Sequence, residues 1–340
     1  MKKHYLQQQI GIFTDMKLHN NKELLQDAIQ ATAELLDIKE IYVEKDYWVT
    51  VALFEIFHSD LAEQTVFKGG TALSKCYKLI DRFSEDIDLV VLRREGENDN
   101  QLKRKIRAIS KVVEKIIPEI EVEGLTNKLG NIRKTVHQYD KFYKGNYGQV
   151  REQVILEATW LGNFEPFSKM QVSCYLTEMM QRKGQEDLIK KYDMAPFTVQ
   201  VLSITRTLCE KIMSLVRFSR TENPIADLRN KIRHVYDIHQ MLKGEELQNF
   251  FSGNDFDEMI VRVANDDMIG YKNNNDWIPE HPSSALIFDQ PDNTWALLSA
   301  TYNSTFKDLV TGYLPTEAEL IVTLKAVAER LKKLKWNINK

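Results

Sequence analysis

The stretch that most constrains this chain covers residues 67–92, FKGGTALSKCYKLIDRFSEDIDLVVL. Apolar Val66 and Phe67 lead into Gly69 and Gly70, and residues 71–80 suit a helix, so the order is strand, glycine turn, helix start. Glycines let backbone approach an anion closely, and the unpaired amides and positive dipole end of the new helix then face it. Thr71 and Ser74 add hydroxyl donors at the same place. Taken alone, a glycine pair more often marks a plain turn with Thr71 as helix cap.

The pair does not stand alone. Residues 84–91, SEDIDLVV, read as a short apolar strand interrupted by Asp86 and Asp88. Alternate strand residues share a face, so Ile87, Leu89 and Val91 point one way and the two aspartates the other. Neighbouring carboxylates repel, which raises the pKa of one or favours a divalent cation between them. Magnesium, a hard ion that bridges carboxylates to phosphates, suits such a pair. Residues 150–160 form a further alternating strand, with Val154, Leu156, Ala158 and Trp160 on its apolar face and Glu157 on the other. Glu157 supplies a third carboxylate if that strand lies beside Asp86 and Asp88.

Around these motifs the periodicity predicts helices over residues 21–36, from about 43 to 57, and over 101–117, where Pro118 ends the last. A short strand is expected at 119–122, and residues 127–148 read as a hairpin or lid. Beyond Pro196 helical patterns dominate. Ser203 caps a helix over 204–218 whose buried face, Ile204, Leu208, Ile212 and Leu215, has Lys211 in its middle. A lysine there either snorkels to the rim or meets an anion in a cleft. Residues 220–230, with Pro224, read as a loop. Residues 231–242 read as a helix on which Arg233 reaches Asp237 at i+4, with His234 on the same side. Residues 273–282 and 290–293 read as loops, and 295–306 and 316–335 as helices. The whole is an α/β arrangement, a mixed sheet with flanking helices over 1–198 followed by a mostly helical lobe over 199–340.

A length of 340 residues allows two moderate cores, and 43% hydrophobic with 28% charged residues is ordinary for a globular protein. No apolar run approaches the ~20 residues that span a bilayer, and the N-terminal residues lack a signal-peptide core, so a cytoplasmic location is expected. Cys76, Cys174 and Cys209 are too few and too scattered for zinc or a disulfide framework. The formal charge of -3 argues against indiscriminate nucleic-acid binding. The basic runs at 103–111 and 332–335 read as solvated helix faces.

A glycine pair, a helix, then DxD on the next strand resembles the nucleotidyltransferase superfamily related to DNA polymerase beta. Lys68, Gly69, Gly70, Thr71, Leu73, Lys75, Arg82, Ser84, Asp86, Asp88 and Leu89 are similar in particular to the AbiEii/AbiGii toxin family, as is the upstream Val43-Glu44-Lys45-Asp46-Tyr47-Trp48. The similarity extends over residues 43–242. Many superfamily members have Gly-Ser where this chain has Gly69-Gly70, with Thr71 as the available hydroxyl. The resemblance implies an NTP substrate with Mg²⁺ at Asp86, Asp88 and Glu157. It implies phosphate binding by Lys68, Gly69, Gly70, Thr71, Arg82 and Ser84, and a catalytic lysine and aspartate at Lys211 and Asp237. It further implies the toxin of a bacterial toxin-antitoxin or phage-defence pair, with tRNA as leading acceptor and an antitoxin that need not touch it. Two rivals are a phosphatase using Asp86 as nucleophile, and a nucleotide-binding regulator without catalysis.

Overall fold

The computed structural model describes residues 16–128, 130–145, 147–148, 150–161, 166–270 and 274–338. The N-terminal stretch read for a leader, and positions 129, 146 and 273 of the expected loops, lie outside them. Among the described residues, seven strands form one mixed sheet: β1 (Thr65–Lys68), β2 (Ile87–Val91), β3 (Glu119–Ile120), β4 (Ile132–His137), β5 (Val154–Thr159), β6 (Phe167–Val172) and β7 (Phe197–Leu202). Their order is β3-β4-β5-β2-β1-β7-β6. β1 runs antiparallel to β2 and parallel to β7, and β2 runs parallel to β5.

Two N-terminal helices cover the sheet. The side chain of Asn21 accepts from the Leu24 amide at 3.2 Å and starts α1 (Lys22–Leu36). In α2 (Glu40–Phe57) all residues but Glu40 and Glu55 are buried, so the helix has packing on every side. Gly69, at φ +82°, turns the chain from β1 directly into α3 (Gly69–Lys75). That helix stops at Lys75, short of the residue 80 expected from the sequence, because Lys78 takes the left-handed conformation and the Leu79 amide reaches back to the Leu73 carbonyl. A capping box between Asn98 and Gln101 opens α4 (Asp99–Glu114). Next, α5 (Tyr175–Arg182) and α6 (Glu186–Lys191) connect β6 to β7.

Helices dominate the remainder: α7 (Ile204–Phe218), α8 (Pro224–Asn230), α9 (Ile232–Met241), α10 (Glu245–Ser252), α11 (Asn254–Gly270), α12 (Leu286–Asp289), α13 (Pro291–Thr301) and α14 (Glu317–Lys332). Four sequence expectations are corrected. Of the hairpin and lid readings of residues 127–148 the lid gives way: Asn127 and Lys134 pair antiparallel, and a full strand, β4, is bonded on both sides. The sheet continues past Pro196 through β7, so the helical character expected from there on begins only at Ile204. Residues 224–230 are helical because Pro224 occupies the first turn, where its missing N–H costs nothing. Pro291 likewise starts α13 within the expected 290–293 loop, and 302–306 widens into a π turn.

Two apolar cores result. One fills the space between the sheet and α1, α2 and α4–α6. The other lies among α7–α14 and takes in Leu73, Ile80 and Phe83 from the glycine-turn segment. That segment is tied to the C-terminal third by backbone: Phe83 N–H donates to Leu309 O at 2.7 Å, and Thr311 N–H to Asp81 O at 2.8 Å. Cys76, Cys174 and Cys209 are buried, each with a free thiol. No helix among the described residues is long and apolar enough to cross a membrane.

Candidate active site

The parallel pairing of β2 with β5 sets the register Asp88 to Glu157, so the carboxylate that the sequence places on a later strand stands directly beside the DxD. Gly69 and Gly70 turn just across from them, because β1 is antiparallel to β2 with Lys68 opposite Asp88. A Cβ on Gly69 would overlap the Asp88 carboxylate, and one on Gly70 would lie 2.7 Å from Arg82 Nη2 and 2.9 Å from Ser84 Oγ. Gly69, with its positive φ, therefore needs glycine, whereas a side chain at Gly70 would have to displace Arg82 and Ser84. Facing this corner are α7, α9 and α11, and the cleft between has a volume of about 360 Å³. Lys68, Gly69, Gly70, Thr71, Arg82, Ser84, Asp86, Asp88, Glu157 and Lys211 all line it.

Asp237 does not line the cleft. It is fully buried behind it and accepts from Arg82 Nε at 2.7 Å, Arg82 Nη2 at 2.8 Å and Lys211 Nζ at 2.7 Å. Burial alone would raise its pKa, but Arg82 and Lys211 hold it well below the usual carboxylate range. Lys211 thus meets an anion rather than snorkelling, and that anion is Asp237. Arg233 does not pair with Asp237, since α9 turns the aspartate inward and leaves Arg233 at the cleft. His234 also lines the cleft, with burial keeping its imidazole neutral.

Like-charge crowding marks the carboxylate corner. Burial, then Glu157 and Asp86, push Asp88 up to about 7. Glu157 lies 3.4 Å from Lys134 Nζ. The Oδ1 of Asp86 is buried without a hydrogen bond among the described residues, with Arg151 Nη1 at 3.7 Å. As placed, no three Asp, Glu, His or Cys side chains among the described residues form a metal-holding group. The orphaned Asp86 oxygen and the crowded Asp88 nevertheless fit a divalent ion, which would satisfy the first and relieve the second.

Several cleft residues escaped the sequence reading. Lys68 Nζ is 2.9 Å from Glu210, which also pairs with Arg206 at 3.1 Å, and Arg206 reaches Asp266 at 2.5 Å. Burial disfavours the Lys68 charge, but Glu210 outweighs it and raises the ammonium pKa. The available signal was Arg206 and Glu210 at i and i+4 beside Lys211 on one helix. Thr71 and Ser84 hydroxyls lie 3.1 Å apart and bond each other. Arg217 and Lys231 add positive charge to the wall opposite the carboxylates, each close to the Phe218 ring at 4.7 and 4.8 Å.

No curated protein matches this chain. Among solved structures, the nucleotidyltransferase toxin MenT4 of Mycobacterium tuberculosis H37Rv aligns at a TM-score of 0.52 and 15% identity, covering 87% of this chain and 84% of that one. At that identity the likeness concerns the fold, an α/β nucleotidyltransferase type. A sequence model described as nucleotidyl transferase AbiEii toxin, type IV toxin-antitoxin system, matches residues 51–319. That span takes in the glycine turn, all three carboxylates and the Lys211 helix, and the chain belongs to the AbiEii family of nucleotidyltransferase toxins.

Proposed function

We propose that the protein transfers a nucleoside monophosphate from an NTP to an acceptor hydroxyl, with tRNA the leading acceptor, as the cytoplasmic toxin of a bacterial toxin-antitoxin or phage-defence system. One observation carries the reading: with Glu157 in register beside Asp88, three carboxylates stand against a glycine turn packed on Asp88, Arg82 and Ser84. Asp86 and Asp88 are the residues to hold Mg²⁺, with Glu157 completing the set. When bound, the ion neutralises charge that develops on the phosphoryl oxygens and pyrophosphate.

The amides at Gly69 and Gly70, with Thr71 and Ser84, face the phosphates. Arg82 and Lys211 bring two positive charges against one negative charge on Asp237, so this group turns a net positive face toward the cleft. In the transfer, the acceptor oxygen forms a bond to the α-phosphorus, the bond from that phosphorus to the bridging β-oxygen breaks, and pyrophosphate leaves. The acceptor proton passes to Glu157. A cognate antitoxin that acts without touching the toxin accords with the family's type IV description.

Purified protein incubated with each labelled NTP, Mg²⁺ and total cellular RNA tests this. Label is expected on RNA, most strongly on tRNA, and is expected to vanish in Asp88→Ala while the melting temperature is kept. Undiminished transfer by Asp88→Ala, or no transfer from any NTP, overturns the reading.

A further inference from the structure

Glu44, Lys45 and Asp46 are consecutive ionisable residues in the middle of α2, and their exposures are 0, 0 and 3%. Successive helix residues step about 100° around the axis, so the three side chains fan out to different neighbours. Glu44 accepts from the amides of Phe142 at 2.8 Å and Tyr143 at 3.2 Å. Asp46 accepts from the Tyr175 amide at 2.8 Å and pairs with Lys75 of α3 at 2.5 Å. Lys45 has no carboxylate within ion-pair distance among the described residues. Its ammonium donates instead to the carbonyls of Gln153, at 2.7 Å, and Arg151.

Those two carbonyls belong to the residues that lead into β5. From the same segment the Arg151 amide points to Glu85 Oε1 at 3.4 Å, and its guanidinium lies 3.7 Å from Asp86 Oδ1. A buried lysine is costly unless its donors are satisfied. Here it is satisfied by the stretch of backbone that sets where β5 begins and where Arg151 stands. We infer that Lys45 is a positioning residue for transfer: acting through residues 151–153, it holds Arg151 against Asp86 and fixes β5 so that Glu157 lies beside Asp88. The inference rests on the proposed reading of the site.

Among the described residues the Lys45 ammonium bonds only to the backbone ahead of β5, so its loss is expected to misplace the carboxylates and spare the phosphate contacts. Steady-state transfer by the full chain at saturating Mg²⁺, with melting curves, tests this. Arg151→Ala removes a half-exposed side chain, so it is expected to melt with the wild type while kcat falls by about tenfold or more and KM for NTP stays within about twofold. Lys45→Met, where it folds, is expected to show the same split. Wild-type kcat in Arg151→Ala, or in folded Lys45→Met, overturns the inference, as does a loss in Lys45→Met that raises KM in step with the fall in kcat. A wild-type protein that transfers nothing overturns the reading of the site, and the inference with it.

Discussion

Asp237 accepts three charged hydrogen bonds, two from Arg82 and one from Lys211, although it never reaches the cleft. Two cations converge on its single negative charge. Lys211→Met leaves Arg82 and Asp237 as a matched pair, so thermal stability should hold or rise while turnover collapses. Asp237→Asn does the opposite: it leaves two buried cations facing each other, an error of about 3–5 kcal/mol. Melting curves of the two variants should therefore move in different directions or by very different amounts. If Asp237→Asn melted like the wild type, the charge count at this triad would be wrong.

At the scale of elements, the parallel contact between β2 and β5 sets Asp88 against Glu157. Asp88, at about 7, binds its proton more tightly folded than unfolded. Stability therefore falls as pH rises from the ordinary carboxylate range to 7, and the full penalty stands above 7. Asp88→Asn should melt above the wild type at pH 8. The gap should close as pH is lowered toward about 4, and Mg²⁺ should narrow it at pH 8 by stabilising the wild type. Unequal legibility among these elements has physical causes. β2, β5 and α7 show in the sequence because each has one apolar and one polar face. β4 does not, because its buried polar residues bond each other and their surroundings: Thr135 to His137 at 2.9 Å, and His137 to Ile117 O at 2.9 Å. Asp237 was legible as an acidic position but not as the partner of Arg82, since their 155-residue separation leaves no local pattern.

Over the whole molecule, two cores meet at the cleft, and residues from both sides line it. Our proposed division at 198/199 falls inside β7, which stays with the sheet, while Ile204, two residues beyond the strand's end, already packs in the second core. A ligand that touches both walls should stabilise the molecule as one unit. At a hundred times its dissociation constant, NTP with Mg²⁺ should add about 2.7 kcal/mol, read as a rise in melting temperature. Asp88→Ala should lose most of that rise, and an equal rise in the variant would place the nucleotide elsewhere. The ties from Asp81 and Phe83 to residues 309–311 have a further consequence, for motion. Swinging the helical part away from the sheet would tear these backbone bonds and pull Arg82 from Asp237, so that side of the cleft cannot serve as a hinged gate. A nucleotide entering the cleft would meet this wall already in place.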